Sequence, residues 1–101
     1  MLFRSYREVV AMFCRELPRQ LDAIRASIDA GDTERLERTA HSLKGACAVV
    51  GAAPSARLAK TLEELGERAT LDGAPAAFAA LQQELGAAAA MLGSREAPEA
   101  R

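Results

Sequence analysis

The stretch Ala40-His41-Ser42-Leu43-Lys44-Gly45-Ala46-Cys47-Ala48-Val49-Val50-Gly51-Ala52 carries the chain's only histidine and decides how the rest is read. Taken as a helix together with the residues just before it, Leu36, Ala40, Leu43, Cys47 and Val50 recur at steps of four, three, four and three. That is one apolar seam of an amphipathic helix. His41 follows a seam position by one residue, a rotation of about 100° around the axis, so its imidazole belongs at the margin of the buried face with the outer ring nitrogen open to water. Lys44 and Gly45, three and four residues on, lie beside it on the same face, and Ala48 continues that strip by another turn.

A glycine inside a helix costs about 1 kcal/mol relative to alanine, so Gly45 needs a compensating reason. With no side chain there and only a methyl at Ala48, the strip beside His41 leaves room for the backbone of another molecule. Lys44 adds a mobile positive charge with three donors, suited to a phosphoryl group carried on the ring. The local chemistry is an exposed imidazole on a cleared, weakly basic strip of helix.

Working outward, Gly31 is a helix stop and Asp32 an N-cap, with Glu34 placed to favour the positive end of a motif helix running from about Thr33 to Val50. Upstream, Phe3, Tyr6, Val10, Phe13 and Leu17 form the stripe of a first helix from about Phe3 to Glu16. Pro18 lacks a backbone donor and disfavours helical geometry at Leu17, which predicts a kink or a fresh helix start. Leu17, Leu21, Ile24 and Ile28 carry a second stripe to about Ala30. The two stripes are nearly in phase, so one bent helix is the alternative.

Downstream, Gly51 ends the motif helix or marks its last turn, and Pro54 suits the first turn of the next. Leu58, Leu62, Leu65 and Ala69 make its stripe, with Arg57, Lys60, Glu63, Glu64, Glu67 and Arg68 expected largely outside. The run Thr70-Leu71-Asp72-Gly73-Ala74-Pro75 is a turn, and a last helix from about Pro75 to Leu92 buries Phe78, Leu81, Leu85, Ala88 and Leu92. Residues 93–101 have no apolar periodicity and read as a disordered tail or linker after a domain spanning 1–92.

At 101 residues the chain suffices for one core. Half of it is hydrophobic but only 4% is aromatic, and alanine dominates, which favours close-packed helices over a β-sandwich. Short connections place neighbouring helices antiparallel. The expected fold is therefore all-α, an up-down four-helix bundle of the second to fifth helices with the N-terminal helix capping one end. A net charge of −1 gives no electrostatic case for nucleic acid or an anionic membrane. No segment approaches the roughly 18 apolar residues of a membrane span, so the expected location is the cytoplasm. Cys14 and Cys47 fit no metal-binding spacing and read as reduced thiols in or near the core; with a single histidine, no metal or other cofactor is expected.

The run from His41 to Ala52 resembles the signature of histidine-containing phosphotransfer domains of two-component phosphorelays. That signature has a histidine, any residue, an aliphatic residue, Lys-Gly and small residues, with Gly-Ala ten and eleven positions after the histidine; all are matched, by Leu43, Lys44, Gly45, Gly51 and Ala52. Ala30-Gly31-Asp32 upstream and Leu62-Glu63 downstream extend the resemblance over nearly the whole chain. Val49 departs from it, standing where the family commonly has a polar residue.

The resemblance implies a phosphocarrier: His41 accepts a phosphoryl group from a receiver-domain aspartate and passes it to another. Lys44, Gly45 and Ala48 would support the transfer. Arg38, three residues before His41, and Val49 are candidate docking residues on the exposed side of the second and third helices. The implied partners are response-regulator receivers or a sensor kinase, and the carrier, expected as a monomer, needs no nucleotide site of its own, consistent with the lack of a phosphate-binding glycine loop. Two other readings stay open. One is the phosphoacceptor domain of a chemotaxis-type kinase, phosphorylated by an ATP-binding domain. The other is a helical interaction module without chemistry.

Overall fold

The computed structural model describes residues 5–96, with side chains through Leu92. It contains four helices: α1 (Tyr6–Ala30), α2 (Thr33–Val50), α3 (Ala53–Glu67) and α4 (Ala74–Glu96). No strand occurs among the described residues. Each helix packs against the next in sequence and α4 closes the ring against α1, which is the all-α four-helix bundle.

The helix ends follow local chemistry. Ser5 caps α1 by accepting from the Glu8 amide, and Asp32 caps α2 by accepting from the Arg35 amide at 3.1 Å. Gly31 and Gly51 end α1 and α2 in the left-handed region, at φ 70° and 82°. At the second of these ends the Gly51 amide donates to the Ala48 carbonyl and the Ala52 amide to that of Cys47. The turn into α3 is thus two residues long, and Pro54 lies in the first turn of α3.

One expectation is corrected at the N-terminus. Among the described residues there is no separate capping helix: α1 runs unbroken through Pro18. Pro18 removes one helical donor, which leaves the Cys14 carbonyl without its usual partner. A continuous helix nevertheless buries Val10, Phe13 and Leu17 on the same core as Ile24 and Ser27, and Pro18 itself faces outward. Packing of both stripes on one core outweighs the lost hydrogen bond. The start of α1 is also clasped to the end of α2, where the Tyr6 hydroxyl donates to the Val50 carbonyl at 2.6 Å. The expected start at Phe3 lies outside the described residues. At the other end α4 continues to Glu96, through the first four residues of the expected tail; residues 97–101 lie outside the described part.

The α2 seam is buried as the sequence predicts: Leu36, Ala40, Leu43 and Cys47 are fully enclosed and Val50 nearly so. The face of α3 differs from expectation. It buries Ser55, Ala59, Leu62, Glu63, Leu65 and Gly66, whereas Leu58 is half-buried and Ala69 lies exposed beyond the helix end at φ 56°. Gly66 accounts for the shift. A Cβ built there would fall 2.7 Å from both the Thr33 carbonyl oxygen and the Glu37 amide nitrogen. Backbone of α3 therefore rests on backbone of α2, which rotates the buried face of α3 toward Gly66 and Glu63.

Candidate phosphoacceptor site

His41 sits at the middle of α2 with its side chain 67% exposed, flanked by exposed Arg38, Ser42, Gly45 and Ala48. The seam residues beneath it hold the helix in register, so the ring leaves the bundle at the groove between α2 and α3. There it meets α3. His41 Nδ1 lies 2.7 Å from Glu63 Oε2, and the other carboxylate oxygen, Oε1, lies 2.7 Å from Lys44 Nζ. One carboxylate thus ties together the two polar residues that the sequence places a turn apart.

Glu63 is 11% exposed at its side chain, a burial that normally makes ionisation unfavourable. The Lys44 ammonium reverses this: its hydrogen bond holds the carboxyl below the ordinary glutamate range, against the opposing effect of burial and with further help from the His41 ring. An ionised carboxylate only accepts hydrogen bonds, so the facing Nδ1 must carry the proton. The neutral ring's lone pair is then on Nε2, which points away from α3. Ring orientation and tautomer are both set by Glu63.

The sequence places His41, Lys44, Gly45 and Ala48 on one strip, and in the structure His41, Gly45 and Ala48 lie exposed along α2 with Lys44 half-buried against Glu63 beside them. Gly45 has nothing within 4 Å of a built Cβ, so packing inside this chain does not require glycine there. Arg38 shares an open hollow with Glu37, His41 and Glu63. Val49, 64% exposed, lines a separate apolar groove with Val9, Met12, Phe13, Ala46 and Val50 between α1 and α2. Glu63 is the residue that sequence reasoning set on the outside. A signal was present: Glu63 stands four after buried Ala59 and three before buried Gly66, on a stripe of small residues that only a close partner helix explains.

Cys47 is fully buried, and burial pushes its thiol up to about 11, so it serves as core filling. Among the described residues no helix is long and apolar enough to cross a membrane.

A helical bundle that presents one lone histidine, oriented by a carboxylate and followed by Lys-Gly, defines a phosphohistidine carrier. The Hpt domain family matches residues 8–91, and the chain belongs to that family. It is similar to the crystal structure of histidine-containing phosphotransfer protein B from Pseudomonas aeruginosa PAO1, with 29% identity, a TM-score of 0.86, and coverage of 89% of this chain and 78% of that one. No curated protein matches the chain. Members of this family are carriers in phosphorelays, and the chain is all-helical like its structural relative.

Proposed function

We propose that the chain accepts a phosphoryl group on Nε2 of His41 from a receiver-domain aspartate and returns it to another receiver aspartate. The observation that supports this reading is the Nδ1 contact with Glu63, which leaves an unprotonated nitrogen facing solvent.

In the forward step the Nε2 lone pair attacks phosphorus, the N–P bond forms, and the O–P bond of the aspartyl phosphate breaks to release carboxylate. Nδ1 keeps its proton throughout. The positive charge that develops on the ring faces the ionised Glu63, which stabilises it without moving a proton. In the return step an acceptor carboxylate attacks phosphorus, the N–P bond breaks, and neutral imidazole is restored. The family resemblance implies that the receiver supplies the metal ion and most of the groups that neutralise the phosphoryl oxygens.

Lys44 acts through Glu63, holding it ionised and in place. Gly45 and Ala48 give the receiver backbone access to the ring, and Val49 extends the docking face into the apolar groove beside α1. Arg38 borders the same face. The test is phosphoryl transfer from a phosphorylated receiver to the native chain and to His41→Gln. An acid-labile label that disappears in the variant is expected. Labelling by a kinase's ATP-binding core but by no receiver would favour the kinase-domain reading, and labelling that survives in His41→Gln overturns the assignment of the acceptor.

A further inference from the structure

The sequence gives Lys44 as the natural cation for a phosphoryl group on His41, but the geometry uses Lys44 elsewhere. Its ammonium is committed to Glu63 at 2.7 Å and its side chain is only 32% exposed. The hollow that His41 opens onto is lined by Glu37, Arg38, His41 and Glu63, without Lys44. Helical side chains lean toward the N-terminus of their helix, so the ring of His41 lies over the turn that carries Glu37 and Arg38. Arg38 is exposed, three residues before His41, and its side chain forms no ion pair or hydrogen bond with the described residues.

We infer that Arg38, and not Lys44, is the residue of this chain that binds the phosphoryl oxygens once His41 is phosphorylated. This rests on the carrier reading above. The charge balance of the hollow requires a cation. Glu63 is matched by Lys44, whereas Glu37 has no such partner among the described residues, so a dianionic phosphoryl group entering without Arg38 would face an acidic wall. A guanidinium presents two parallel N–H donors that fit two phosphoryl oxygens at once, and three residues of helix is the separation at which side chains meet. Lys44 holds the carboxylate that orients the ring, and Arg38 holds the group that the ring carries.

The test phosphorylates His41 chemically with potassium phosphoramidate, so that no protein partner is involved. Ring Nε2 attacks phosphorus, the phosphoramidate P–N bond breaks and ammonia leaves. The second ionisation of the phosphoryl group is then followed by phosphorus NMR in the native chain, Arg38→Gln, Arg38→Lys and Lys44→Gln. A guanidinium beside the group favours the dianion, so Arg38→Gln should raise the titration midpoint by about 0.5 pH unit. Arg38→Lys should restore part of that shift, and Lys44→Gln should move the midpoint less than Arg38→Gln does. A midpoint that shifts in Lys44→Gln and stays put in Arg38→Gln overturns the assignment. A native chain that takes no phosphoryl group on His41 overturns the carrier reading itself, a separate and recognisable result.

Discussion

Gly66, in the last turn of α3, and Gly45, inside α2, are helical glycines on facing helices, and their surroundings are opposite. At Gly66 the missing side chain is filled by the neighbouring helix, with backbone atoms of Thr33 and Glu37 at 2.7 Å from where a Cβ would stand. At Gly45 the space is left empty, with nothing of the described residues within 4 Å of where a Cβ would stand. One glycine is consumed by the fold; the other, in the proposed reading, leaves clearance for a partner. The helix penalty is largest at Gly45, inside α2, and nothing packed against it there accounts for that cost.

The largest expected effect comes from closing the first gap. Gly66→Ala forces a Cβ into peptide backbone, which has no rotamer to escape into, so α2 and α3 must separate. A loss of about 3 kcal/mol in denaturant-unfolding stability is expected, at the upper end for overpacking. A variant as stable as the native chain would mean that the two helices are not locked at this contact.

Next in size is the carboxylate that the close approach places. Glu63→Gln keeps the shape but removes the charge that fixes the tautomer of His41 and balances Lys44. Phosphoryl transfer from a receiver should fall roughly 10- to 100-fold, by analogy with the loss when a metal-bound histidine is deprived of its orienting carboxylate. The same change has a pH signature. Because the folded-state value of Glu63 is depressed below its ordinary 4.5, its contribution to stability is present above that pH and is lost as pH falls through the folded value. Unfolding measured from neutral pH down through the acid range should therefore show a steeper decline below pH 4.5 in the native chain than in Glu63→Gln. Parallel curves would show that the ion pair does not couple to folding.

The smallest change is at the empty site. Gly45→Ala should leave stability unchanged or raise it by up to about 1 kcal/mol, since alanine is the better helix former. Transfer from a receiver should drop about tenfold, equivalent to roughly 1.4 kcal/mol in the barrier. Chemical labelling by phosphoramidate should be unaffected, because the small reagent does not need the clearance. Equal losses with both donors would place the effect at the ring and not at docking.

Much of this contrast was legible in the sequence, though unevenly. The α2 seam, the Gly31 and Gly51 stops, the Asp32 cap and the exposed His41 strip all follow from local chemistry and period, which a single helix displays in full. The resemblance carried by His41 to Ala52 supplied the family. What escaped was set between helices. Glu63 looked like one of several charged residues on a solvated face until backbone contact at Gly66 turned that face inward. Pro18 looked like a boundary because its local cost is plain, while the packing that overrides it depends on Phe13, Leu17 and Ile24 sharing one core. Arg38 and Lys44 are both cations a turn from His41, and only the position of Glu63 separates the roles proposed for them.

The clasp from Tyr6 to the Val50 carbonyl has an optical consequence. The chain has a single tyrosine and no tryptophan, so its intrinsic ultraviolet emission comes from one ring. That ring is bonded to the C-terminal end of the helix that carries His41, close to the apolar groove that contains Val49 and Val50. The protein holds its own fluorophore at one edge of its proposed docking face, where the arrival of a partner and the fraying of the first helix both register without an added label.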